Sequence, residues 1–160
     1  METTRFVELV DEQDRVVGRA DEEEVRKKNL LHHSVHIAVI DSKGRLFCAH
    51  REKNKPVYGG WWTVPGAHVF SGETYEKASA RLLSELKLAG RLERIEKIRV
   101  DDGFENEFST MYVFKSDSIP TLKPSDWEGG KFLALAEARQ LKETQKTTLY
   151  LQRSLNYLRA

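Results

Sequence analysis

Apolar and polar residues alternate with a period of two in several short stretches of this chain and recur with helical spacing in others. Phe6–Val10 and Arg15–Arg19 predict two strands turned by Asp11–Asp14, an N-terminal hairpin over residues 5–19. Asp21–Lys28 places acids first and bases last, the order a short helix prefers against its macrodipole, and reads as a solvated surface rather than a site. Leu31–Ile40 and Arg45–Arg51 predict a second hairpin. Thr63 and Val64 are strand formers, Pro65-Gly66-Ala67 breaks the strand, and Gly72 supplies a turn. Glu73 then opens a helix running to Leu88, with Tyr75, Ser79, Leu82 and Leu86 on one stripe and Ala78 and Leu83 beside it. Arg94–Val100 and Ser109–Phe114 predict two more strands, and Lys131–Leu133 a last short one. Ser116–Asp126, polar with two prolines, is a surface loop. Ala134–Leu141 is a brief helix, followed by a terminal one over about 147–158. The leucines of that last helix read as core packing, with a homodimer contact as the alternative.

This order predicts one α/β (α+β) domain over 1–160, a mixed sheet between helices. With 160 residues, 39% hydrophobic and 32% charged, the chain suits a single soluble core. A net charge of +1 gives no bulk electrostatic reason to expect nucleic acid or membrane as a partner. No apolar run is long enough to span a bilayer, and the first residues do not read as a signal peptide. A single cysteine, Cys48, excludes an internal disulfide and fits a reducing, cytoplasmic compartment. It sits in an apolar strand, as filler rather than nucleophile.

The candidate chemistry lies in three places. On a strand, His32, Ser34 and His36 project to one face and His33 to the other. The cluster is either a metal nest or a hydrogen-bonded edge, and local sequence favours the second. Glu105 and Glu107, two residues apart, point the same way in extended chain, and such like charges call for a cation or another compensation. The loop from Pro65 to Glu73 exposes backbone N–H groups near a helix start, as an anion cradle would. Arg51, Lys53 and Lys55 precede an aromatic loop, Pro56–Trp61, that leads into this stretch.

Trp62, Pro65-Gly66-Ala67-His68, Gly72-Glu73 and Arg81 together resemble the signature of the Nudix superfamily. Gly66, Ala67, Gly72, Glu73, Arg81 and Glu85 fall on the family's box, with Ala67 where its first glycine belongs. The box is degenerate: ungapped, Leu82 and Leu86 replace two of its acids, and Lys87-Leu88 stands where X-Gly should be. Those leucines are one turn apart on one apolar face, so no Mg²⁺ cluster of the usual hydrolase type is expected on this helix. A one-residue deletion after Arg81 would align Glu85 with the second acid of the pair.

From about Val10 to Phe114 the chain is further similar to the type I isopentenyl-diphosphate isomerases and neighbouring Nudix hydrolases. That resemblance implies that His32, His68, Glu105 and Glu107 hold a divalent metal, Mg, Mn or Zn, and that Glu105 also takes part in proton transfer. Mixed imidazole and carboxylate ligation suits Zn²⁺ or Mn²⁺ better than Mg²⁺. Arg51 and Lys55 fall on residues that bind diphosphate, while Glu105 or Glu85 would orient the attacking water. Two positions depart: the isomerase cysteine is Gly66 here, and a further metal histidine aligns with Val25, leaving His36 as a guessed replacement ligand. The expected function is hydrolysis of a small diphosphate or nucleotide-derived substrate. A non-catalytic ligand-binding or sensor domain is one alternative, and isopentenyl-diphosphate isomerisation, which lacks its thiol at Gly66, is another.

Overall fold

A computed structural model describes residues 5–158. Strands β1 (Phe6–Val10) and β2 (Val16–Asp21) form the expected antiparallel hairpin, two residues longer than its predicted end. Asp11 accepts the backbone N–H groups of Gln13 and Arg15 in the turn, and Asp14 adopts a φ of 62°. Helix α1 (Glu22–Lys28) starts at Asp21, whose carboxylate accepts from the Glu24 N–H, and stops at Asn29 in the left-handed region.

The organising strand is β3 (His32–Ile40). Along its whole length it pairs in parallel with β8 (Asn106–Lys115), from His32 opposite Glu107 to Ile40 opposite Lys115. Its other edge is shared in succession by β1 at His32, by β6 (Gly66–His68) at Ser34–His36, and by β4 (Leu46–Arg51) at Ile40. Outside these lie β5 (Trp62–Thr63) and β9 (Trp127–Leu133) on β4, and β7 (Glu93–Asp101) on β8. The mixed sheet is the one expected, with β9 longer than the three residues read from sequence.

The period of two in β3 divides the core. Val35, Ile37 and Val39 pack with Ala78, Leu82, Leu83 and Leu86 of α2 (Tyr75–Glu85) and its end. Ala38 joins a second cluster with Tyr150, Leu151 and Leu155 of α4 (Leu149–Tyr157), and with Ala138 of α3 (Leu135–Thr144). Helix α2 begins later than expected: Thr74 caps it by accepting the Lys77 N–H, and Glu73 lies outside it. Leu82 and Leu86 are both 4% exposed, so the apolar stripe is core. Among the described residues, no helix is long and apolar enough to cross a membrane.

Candidate metal centre

His32, Ser34 and His36, alternate residues of β3, line a cavity where β6 and the start of β8 flank the strand. Here His32, His68, Glu105 and Glu107 each present a ligand atom, all within 4.8 Å of one another. Glu107 holds its place because β8 runs in register with β3, and Glu105 sits just before that strand. Asp102 shapes the preceding turn by accepting the N–H groups of Phe104 and Glu105, and also the Tyr58 hydroxyl at 2.5 Å. His68 arrives on β6, opposite Ser34.

The two imidazoles are oriented through their Nδ1 atoms. His32 Nδ1 lies 2.8 Å from the Leu30 carbonyl, which can only accept, so this nitrogen carries the proton. Its Nε2 faces the acids, 3.0 Å from Glu107 Oε2 and 3.4 Å from Glu105 Oε2. Neither approach is aligned as a hydrogen bond, so this buried nitrogen has no hydrogen-bond partner. His68 Nδ1 donates to Glu22 Oε2 at 2.7 Å. A carboxylate or carbonyl behind each ring is the arrangement that turns the other ring nitrogen outward as a ligand.

Electrostatics say the same. Burial raises the Glu105 carboxyl above its usual range, and Glu107 beside it adds to the rise. Burial alone would raise Glu107 too, but His32, His36 and His68 hold it low, and it accepts from Ser34 Oγ at 2.7 Å and from the Tyr150 hydroxyl. Burial disfavours a charged His32, yet the two acids lift its pKa to about 10. Two buried carboxylates thus compete for one proton on His32. The unpartnered Nε2 and the surplus of negative charge fit a divalent cation, and the mixed nitrogen and oxygen donors fit Zn²⁺ or Mn²⁺.

These four side chains line a cavity of about 590 Å³. Arg51 and Lys55 also line it, with Val57, Tyr58, Phe104 and Trp127 among the apolar walls. Arg51 has no ion pair among the described residues; it donates to the Val57 carbonyl and lies 5.1 Å over the Trp127 ring. Burial lowers its pKa. Lys55 instead forms a close ion pair with Asp126.

Other expected site residues serve the scaffold. Arg81 grips Glu73 through Nε and Nη2, donates to the His68 carbonyl at 2.7 Å, and lies over Phe70. Glu73 accepts the Phe70 N–H, and Glu8 accepts that of Gly72. The expected anion cradle is therefore filled by the protein's own carboxylates. Glu85 is bonded to Arg81, is 45% exposed, and stands outside the group of four and outside the cavity lining. His36 lies outside the group of four as well, with Nδ1 on Ser109 Oγ. Gly66 and Ala67 line the cavity, and Gly72 does not. Sequence reasoning missed Glu22, whose acidic run reads locally as solvated, and Tyr150, whose helix reads as core.

Comparison with known proteins agrees with this frame. The family model for the NUDIX domain matches residues 30–152. An uncharacterized Nudix hydrolase of Pseudomonas aeruginosa is 31% identical, over 85% of this chain and 85% of its own. An isopentenyl-diphosphate Delta-isomerase of Pectobacterium atrosepticum is 27% identical, over 84% of this chain and 79% of its own. The crystal structure of a Deinococcus radiodurans protein superposes with a TM-score of 0.79 at 24% identity, covering 97% of this chain and 99% of that one. That likeness extends the shared fold to both ends of the sheet. With its strand, loop and helix held together by Glu73 and Arg81, the chain belongs to the Nudix family.

Proposed function

We propose that the chain hydrolyses a small diphosphate-containing or nucleotide-derived molecule, using a divalent cation at His32, His68, Glu105 and Glu107. The observation that carries this reading is His32 Nε2, buried and unpartnered between two carboxylates. Bound there, a divalent cation supplies Lewis-acid charge to the phosphoryl oxygens. Arg51, with no carboxylate partner of its own among the described residues, binds a phosphate in the same cavity. Lys55 joins it by exchanging Asp126 for the ligand. Glu105, its carboxyl raised by burial and by Glu107, accepts a proton from the attacking water. The Tyr58–Asp102 contact holds the segment that carries this acid.

The test is hydrolysis of a panel of diphosphates with Mg²⁺, Mn²⁺ or Zn²⁺, wild type against Glu105→Gln. Loss of about a hundredfold or more is expected in the variant. Equal activity in both proteins, or none in either, would overturn the assignment.

The burial of Leu82 and Leu86 favours a second reading, a non-catalytic Nudix domain that binds a ligand. It predicts binding that survives chelation, whereas the hydrolase reading predicts binding that chelation abolishes. Isopentenyl-diphosphate isomerisation stands behind both, because Gly66 brings no thiol to the cavity.

A further inference from the structure

Gly66 and His36 face each other across the β3–β6 pair. A Cβ on Gly66 would come closer than 3.0 Å to Nε2, Cδ2 and Cε1 of His36 alike. The imidazole edge therefore occupies the volume that any side chain at position 66 would need. Glycine is required here by space, because its φ lies outside the left-handed region.

The ring is fixed in that place. Its Nδ1 lies 2.8 Å from the buried hydroxyl of Ser109, and its face stacks on Tyr150 at a centroid distance of 3.6 Å and an angle of 10°. Tyr150 is itself anchored on Glu107. Among the described residues His36 Nε2 has no hydrogen-bond partner, and the residue lines the same cavity as Arg51 and the four ligating side chains. Burial keeps the ring neutral, with a pKa lowered to about 4.

We propose that His36 is a substrate-binding residue, donating Nε2–H to a phosphate oxygen of a diphosphate held in this cavity. This rests on the hydrolase reading of the same site. Phosphate oxygens only accept, so a neutral ring that bonds them through Nε2 carries its proton there. Nδ1 then accepts from the Ser109 hydroxyl, which is free to turn its proton toward the ring. The bare Gly66 leaves this donor in the open, so β3 supplies a polar group where β6 supplies none.

The test titrates Mn²⁺ alone, then inorganic diphosphate into the Mn²⁺-loaded protein, for wild type, His36→Ala and His36→Gln. The expected result is Mn²⁺ affinity unchanged within about twofold, diphosphate affinity lower by about tenfold in His36→Ala, and partial recovery in His36→Gln. A variant-free check is ¹⁵N NMR of wild type in Mg²⁺, where His36 should show a protonated Nε2 whose resonance moves on adding diphosphate. For the shared space, Gly66→Ala should lower stability and His36→Ala in the same chain should restore it. Wild-type affinity for diphosphate in His36→Ala, or a parallel loss of Mn²⁺ affinity marking His36 as a metal ligand, would overturn the proposal. If wild type bound Mn²⁺ but no diphosphate, the hydrolase reading would fall and this proposal with it.

Discussion

His32 and His33 are adjacent in sequence and identical in chemistry, yet the pleat of β3 sends them to opposite fates. His33 pairs with Asp14, whose second oxygen also accepts from Lys97 and from the Tyr75 hydroxyl. That cluster brings cations and donors enough for its one carboxylate. It ties the first hairpin to β3, β7 and α2. On the opposite face His32 meets two carboxylates, and His68 is already committed to Glu22. Charge balance separates the two: the Asp14 cluster closes on itself, while at His32 two carboxylates face a single imidazole and leave negative charge over.

Four substitutions probe this contrast. The largest effect belongs to Leu82→Glu, which restores the family's acid on the core-facing side of α2. Burying that carboxylate among Val35, Ile37 and Val39 should cost about 4 kcal/mol in chemical denaturation, with no recovery on adding Mn²⁺. Next comes acid sensitivity. His36 has a folded pKa lowered to about 4 against 6.5 unfolded, so between these values the unfolded chain binds the extra proton. Stability should therefore rise with pH across that window, by about 3 kcal/mol, and His36→Gln should remove this part of the slope. Asp14→Asn breaks the closed cluster and should lower stability by about 2 kcal/mol while leaving Mn²⁺ titrations unchanged. The smallest is Glu22→Gln, which keeps an acceptor for His68 but loses its charge. Calorimetry should show Mn²⁺ affinity down by about tenfold, with a nearly unchanged denaturation midpoint.

Much of the frame was legible because it is local. Alternation placed His32, Ser34 and His36 on one face, and helical spacing found the buried stripe of α2. The four positions that cluster, His32, His68, Glu105 and Glu107, came from likeness to a family, whose motifs fix what composition cannot. What stayed hidden depends on contacts far apart in the chain. Glu22 looks solvated within its run of acids, and only the approach of β6 brings His68 against it. Tyr150 carries no local sign that its hydroxyl will reach Glu107, 43 residues earlier. The exchange of space between His36 and Gly66 depends on strand pairing, which no single-strand pattern reports. Glu85 shows the opposite case: its match to the box is local, and the structure pairs it with Arg81 outside the cavity lining.

Because β3 joins β1, β4, β6 and β8, the strand that carries His32 and His36 is also the spine on which the sheet assembles. A slip of one residue along it would exchange His32 for His33 and turn Val35 and Ile37 away from α2 together. Chemistry and architecture thus share a single register. Any variant that keeps its core must keep this alignment of strands, and with it the grouping of His32 and Glu107 across the β3–β8 pair.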